Sequence, residues 1–173
     1  MKTVILDKND VNKVRDFAKK LAEAKAAEHK FDNKNEVKRN MTGLLGELAC
    51  EKLLGLEITE WTIGKSQYYD HADIKKLGVG VKSVTAGEDH LIPVRNYYAQ
   101  IMCYVYPETE EGTVRVDILG LATVEMLNKY QDINLVKSPY CRAKGTKTGF
   151  SKEGRDNLIN FDSYDDLVEV MKK

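Results

Sequence analysis

Ala72-Asp73-Ile74-Lys75-Lys76-Leu77-Gly78-Val79-Gly80-Val81-Lys82-Ser83-Val84 is the stretch on which the reading of this chain turns. Ala72 and Ile74 flank an acid, Lys76-Leu77-Gly78 carries turn chemistry, and Val79 to Val84 is rich in β-branched residues that alternate with small or polar ones. That order predicts a hairpin with a tight turn near Gly78. Asp73 then ends one strand and Lys82 lies on the returning strand.

Toward the N-terminus, the pattern becomes helical. Val11, Val14, Phe17, Ala18, Leu21 and Ala22 recur at helical spacing between about Asn9 and His29, with Asp7 or Asn9 as the cap. The polar stretch from Lys30 to Asn40, carrying Lys34, Lys38 and Arg39, reads as a connecting loop or a phosphate-contacting arm. A second helix follows from about Thr42 to Leu54. Leu44, Leu45, Leu48, Ala49, Leu53 and Leu54 give it a broad apolar face, and Gly55 stops it. Gly43 and Gly46 lie inside this helix, where each costs about 1 kcal/mol relative to alanine. A helix accepts that cost where a sheet or a ligand must come close to its backbone. Ile58, Trp61 and Ile63 then suggest a short strand, before a polar run from Gly64 to His71.

Toward the C-terminus, Tyr97–Tyr106 and Val114–Ala122 read as strands, joined through the turn-forming Pro107–Gly112 into a second hairpin. Thr123 opens a short helical turn that runs to Tyr130. Lys137 to Arg155 reads as a basic loop in which Lys137, Arg142, Lys144, Lys147, Lys152 and Arg155 are interleaved with Tyr140 and Phe150. A last helix starts after Ser163, with Ser163 and Asp166 resembling a capping box. Helix, helix, strands, short helix and helix in this order predict one α/β (α+β) domain, a central mixed β-sheet flanked by helices.

Composition narrows the function classes. The 173 residues suit one domain, and 42% hydrophobic with 31% charged residues is a globular balance. No apolar run approaches the roughly 20 residues that cross a bilayer. Met1-Lys2-Thr3-Val4-Ile5-Leu6-Asp7 has an acid where a signal peptide needs a long apolar stretch. The expectation is a cytoplasmic protein with no membrane partner. Cys50, Cys103 and Cys141 are scattered and odd in number, which argues against a disulfide framework or a zinc site and for packed thiols. His29, His71 and His90 are too few for a histidine-based zinc centre. Net charge is zero, with 27 basic and 27 acidic residues, so any nucleic-acid surface must be local.

Asp73, Lys82 and Glu47 carry the chemistry. Phosphodiester cleavage needs a hard cation held by oxygen ligands and a fixed positive charge near the attacking water. An acid and a lysine on adjacent strands supply both roles, and a helical Glu adds a second carboxylate. Glu51 lies one turn further along the same helix. Other candidates are weaker: Asp70 and His71 beside Asp73 as supporting groups, and the Gln100/Tyr104 pair, which reads as structural on its strand.

Gly43-Leu44-Leu45-Gly46-Glu47-Leu48-Ala49, then Asp73-Ile74, then Gly80-Val81-Lys82-Ser83, resembles the PD-(D/E)XK nuclease superfamily, which includes restriction endonucleases, resolvases and phage nucleases. Ile118-Leu119-Gly120-Leu121-Ala122-Thr123 is similar to a strand-to-helix edge of phage-type members. The resemblance spans roughly Met41 to Leu127. It implies a restriction-endonuclease-like core and a Mg²⁺- or Mn²⁺-dependent endonuclease acting on DNA, with RNA as an alternative substrate and a homodimer by analogy. Glu47, Asp73 and Lys82 would be catalytic. Glu47, Asp73 and the backbone carbonyl of Val81 would hold the metal, and Lys38, Arg39, Arg142, Lys144 and Lys147 would contact nucleic acid. The chain departs from the family at Gly80, where an Asp or Glu is expected two residues before the lysine. Three explanations follow. Glu47, Glu51, Asp70 or Glu88 substitutes; the Val81 carbonyl completes the set with Asp73 and Glu47; or the fold is a silent nucleic-acid-binding module.

Overall fold

A computed structural model describes residues 1–29, 33–63, 72–95 and 98–173. Its first strand, β1 (Lys2–Leu6), leads into α1 (Lys8–His29) and α2 (Asn33–Leu54). Asp7 caps α1: its carboxylate accepts from the Asp10 N–H at 2.8 Å, while the Asp10 carboxylate accepts from the Asp7 N–H at 3.2 Å. Then come β2 (Val79–Thr85), β3 (Leu91–Pro93), β4 (Ala99–Val105), β5 (Val114–Ala122) and α3 (Val124–Lys129). The C-terminal part holds β6 (Gln131–Asp132), a 3-10 turn (Ile133–Leu135), α4 (Pro139–Lys144), β7 (Lys147–Phe150), α5 (Lys152–Asp156) and α6 (Tyr164–Lys172).

The fold is α+β. One sheet has the order β1-β5-β4-β2 and is mixed, with β2 parallel to β4 and the other pairs antiparallel. A smaller antiparallel sheet has the order β3-β7-β6. Strand alternation divides the larger sheet between two cores. Val79, Ala99, Ile101, Cys103, Val105, Val116 and Ile118 pack with Val11, Val14, Leu45, Leu48 and Ala49 of α1 and α2. Met102 and Ala122 face the other way, onto Ile92, Leu127, Phe150 and Leu158.

Several expectations change. The segment read as a loop is helical from Asn33 onward; Lys30 to Asp32 lie outside the described residues. Its first turns are held by charge as well as by an apolar face. Glu36 is buried, with ion pairs to Arg39 and, at 3.8 Å, to Lys25. The span 57–63 forms no strand, because its backbone is tied to α2: the Glu51 carboxylate accepts from the N–H groups of Ile58 and Thr59 at 2.8 and 2.7 Å. The first hairpin shrinks to one antiparallel bridge, Ile74 to Val79, closed by a turn in which Gly78 has φ 64°. Tyr97 lies outside the described residues, and its strand begins at Ala99.

The basic loop is α4, β7 and α5. Ser138 caps α4, Pro139 opens it and Gly145 ends it in the left-handed conformation. Ser151 caps α5. Thr123 caps α3, as the sequence predicts. At α6, Ser163 accepts from the Asp166 N–H, but the Asp166 carboxylate reaches the Asp162 N–H instead of closing the box on Ser163. Among the described residues no helix is long and apolar enough to cross a membrane.

Candidate active site

β2 is the outer strand of its sheet, and the two directions of its backbone bonds set the site. Val79 exchanges hydrogen bonds with Ile74 on the outer side, and the Val81 N–H donates outward to the Asp73 carboxylate at 2.6 Å. Ala86, of opposite parity, donates inward to the Val105 carbonyl. Asp73 is therefore clamped against the open edge of the sheet. The Val81 carbonyl leaves the strand on that same edge, since a strand residue directs its N–H and C=O to one side.

Glu47 reaches the same place from α2, because Gly46 lets the helix lie on the sheet. A Cβ on Gly46 would overlap the Ser83 hydroxyl and come within 3.7 Å of the Cys103 Cβ. Ser83 pays a small cost for that proximity, its buried hydroxyl having no hydrogen-bond partner. Glu47 and Asp73 both line a cavity of about 460 Å³, together with Phe17, Leu44, Ile58 and Ala72. Burial pushes the Glu47 carboxyl up to about 8, and the negative charges of Asp73, Glu51 and Glu60 push in the same direction. The two carboxyl groups crowd each other, and the cations that also line the pocket are engaged with other acids, Lys25 and Arg39 with Glu36 and Lys75 with Glu60.

Lys82 lies differently from the expectation. Val79, Val81 and Ser83 face α2, so alternation turns Lys82 to the opposite face of β2, and it does not line the cavity. Burial lowers its pKa and the Lys147 charge lowers it further, while Asp73 partly offsets them. Lys82 is thus coupled to Asp73 around the strand edge and to Lys147 of the smaller sheet. His90 shares this side. It is fully buried, stacks on Tyr104 at 5.5 Å and meets the Cys103 carbonyl at 3.1 Å through Nε2, while its Nδ1 has no partner. Burial brings its pKa down to about 4.

Gly80 has a visible reason. It pairs in register with Gln100, and a Cβ there would overlap the Gln100 carboxamide. A neutral side chain from β4 fills the space above the strand where the superfamily pattern places an acid. Of the substitutes considered, Glu51 is committed to the Ile58 and Thr59 N–H groups, Glu88 is an exposed turn residue, and Asp70 and His71 lie outside the described residues. Among the described residues no three His, Cys, Asp or Glu side chains gather as a metal-binding group. The oxygens available at the edge are the Glu47 and Asp73 carboxylates and the Val81 carbonyl. They fit a hard divalent cation, whose charge would relieve the repulsion that raises Glu47.

The five expected nucleic-acid contacts divide. Arg39 lines the cavity, and the exposed Lys38 adjoins it on α2. Arg142 is partly a staple, donating to the Val136 carbonyl and, at 2.9 Å, to the Asn134 carbonyl. Lys144 sits 5.3 Å from the Tyr140 ring, and Lys147 faces the Lys82 side. Cys50 and Cys103 are buried free thiols 3.8 Å apart in the first core, and Cys141 is a partly exposed free thiol. Sequence reasoning missed the roles of Asn40, Phe17 and His90, while Gln100 has the structural place on its strand that the sequence suggested. The Gly43/Gly46 pair was the one signal pointing toward this region. Comparison with protein-family models, with curated proteins and with solved structures finds no match to this chain, so the functional argument rests on these residues.

Proposed function

We propose that the chain is a divalent-metal-dependent endonuclease of the PD-(D/E)XK kind, hydrolysing phosphodiester bonds of DNA at the outer edge of β2. The observation that carries this reading is the meeting of Glu47 and Asp73 in one cavity, with Glu47 raised to about 8. Paired carboxylates so arranged would suit a hard cation, and a strongly shifted carboxyl in a cleft points to a functional site.

Glu47, Asp73 and the Val81 carbonyl would hold Mg²⁺ or Mn²⁺, which when bound polarises a phosphate and lowers the pKa of water. Asp73 is held at the edge by the Val81 N–H, which donates to its carboxylate. Lys82 supplies a desolvated cation on the far side of the same strand, within electrostatic reach of Asp73. Its long stem lets the ammonium swing around an edge strand toward a phosphate at that edge. Arg39, Lys25 and Lys75 line the cavity on its other sides and offer charge to the phosphates that flank the scissile one.

One observation favours a second reading. Gln100 occupies the space over Gly80 where an acid is expected, which suits a catalytically silent nucleic-acid-binding module. Incubating the purified chain with plasmid DNA and Mn²⁺ separates the two. The nuclease reading expects nicking or linearisation that is lost in Lys82→Ala and in Asp73→Asn. Retention of DNA without cleavage supports the silent module, and a chain that neither binds nor cuts DNA at low salt contradicts both.

A further inference from the structure

The two glycines of α2 do different things. Gly46 is filled from outside by Ser83, which is a packing requirement. Gly43, one turn earlier, has nothing within 4 Å of its Cβ position and lines the cavity that Glu47 and Asp73 share. Packing against a neighbour does not explain it. An open glycine in a helix interior sacrifices about 1 kcal/mol and gains only room.

The rest of that wall has a definite chemistry. Phe17, Leu21, Leu44 and Ile58 make it apolar on one side, with Phe17 steadied edge-on by Trp61 at 5.4 Å. Asn40 lines the same cavity and its side-chain amide nitrogen is buried without a hydrogen-bond partner. A buried unpaired donor is costly unless something accepts from it. Lys25, Arg39 and Lys75 add positive charge to the lining. A cavity of about 460 Å³ is within the usual range for a small-molecule group, and a base can enter it only after leaving the duplex stack.

We infer that this cavity receives the unpaired base of a single nucleotide whose phosphate lies at the Glu47–Asp73 edge, so that the substrate is a single-stranded, flapped or frayed nucleic acid and not an intact duplex. This rests on the phosphodiester reading above and adds the substrate class. Phe17 and the leucines take the base face, the Asn40 amide donates to a base acceptor, and Gly43 leaves the room. A base inside a duplex reaches such a cavity only after leaving the stack, which costs a few kcal/mol; an unpaired base does not pay it.

The test compares binding of a fluorescein-labelled single-stranded DNA oligonucleotide with that of a blunt hairpin duplex of the same sequence, by fluorescence anisotropy in Ca²⁺ at fixed salt. The single strand should bind at least about ten-fold more tightly. Gly43→Leu fills the cavity while improving helix propensity. It should lower single-strand affinity about ten-fold, with no drop in thermal midpoint and the duplex affinity unmoved. Asn40→Leu removes the unpaired donor. It should flatten the difference in affinity between oligo(dT), oligo(dA) and oligo(dC). Equal binding of single strand and duplex, or a Gly43→Leu protein that binds the single strand as the parent does, overturns the inference while leaving the nuclease reading standing if Mn²⁺-dependent cleavage persists. No binding and no cleavage of either DNA overturns both.

Discussion

The two faces of β2 carry opposite electrostatic problems. On the α2 side, Glu47 and Asp73 share a pocket and Glu47 resists ionising; on the other side, the half-buried Lys82 and the buried His90 both resist protonation. One face crowds acids together, and the other keeps a lysine and a neutral imidazole partly or wholly out of water. The strand between them is a sheet edge, so the two problems meet at Asp73, which lines the cavity and also acts on Lys82. An interior strand would keep them apart. The comparison teaches that a long side chain on the far face can belong to the same site when the strand is outermost.

The largest expected effect breaks the link between the faces. If the two sides form one centre, Glu47→Gln, Asp73→Asn and Lys82→Ala each lower DNA cleavage by about 100-fold or more. Double variants then fall little further, because removing one member disables the unit. Additive losses from Glu47→Gln and Lys82→Ala, measured as cleavage rates, would separate the faces into independent roles.

Acid titration sharpens the contrast on the Lys82 side. The folded pKa of His90 is about 4, against an ordinary 6.5. The stability from keeping it neutral is complete above 6.5 and is lost as pH falls through about 4. Unfolding of the parent against His90→Gln should show a difference that changes by about 3 kcal/mol across that window. Glu47 runs the other way. Its folded pKa is raised from 4.5 to about 8, so its contribution is complete below 4.5 and is lost as pH rises through 8. Metal-free Glu47→Gln should match the parent near pH 5 and exceed it near pH 9, by on the order of 4 kcal/mol, in denaturant melts. A flat difference would mean that Glu47 is well solvated.

The smallest effects compare the two glycines. Gly46→Ala should cost about 1–3 kcal/mol, because the new methyl meets Ser83 and the sheet behind it. Gly43→Ala should gain up to about 1 kcal/mol, since the methyl meets nothing. Equal responses in thermal melts would remove the distinction between a packing glycine and an open one.

The readable parts of the sequence were those whose stability is local or periodic. α1, the second half of α2, the β4–β5 hairpin and the Thr123 cap all follow from apolar spacing, turn residues and capping chemistry. β1 was hidden because its five residues are defined by a partner more than a hundred positions away. Thr3 opposes Asp117 and donates to its carboxylate at 2.7 Å, beside Tyr106 and Arg115. The first turns of α2 were hidden because Glu36 is buried on charge pairs. In the basic stretch, Ser138-Pro139 and Gly145 were legible start and stop signals for α4, masked by the density of lysines.

At the site, the order along the chain pointed to Glu47 and Asp73, and both line one cavity. It could not give the face of Lys82. Alternation fixes which residues share a face, but only Ser83 against Gly46 shows which face meets the helix. The Gln100 carboxamide over Gly80 is likewise a register fact between two strands, invisible until their pairing is known.

The central claim is that Glu47 and Asp73 jointly bind a divalent cation, and calorimetric titration of Mn²⁺ tests it most directly. At pH 7 in two buffers of different ionisation enthalpy, the account predicts a single site whose filling releases close to one proton, because Glu47 must give up the proton that burial holds on it. Both the site and the proton release should vanish in Glu47→Gln, and Asp73→Asn should abolish binding. Mn²⁺ binding that persists unchanged in both variants, or no binding to the parent at all, would contradict it.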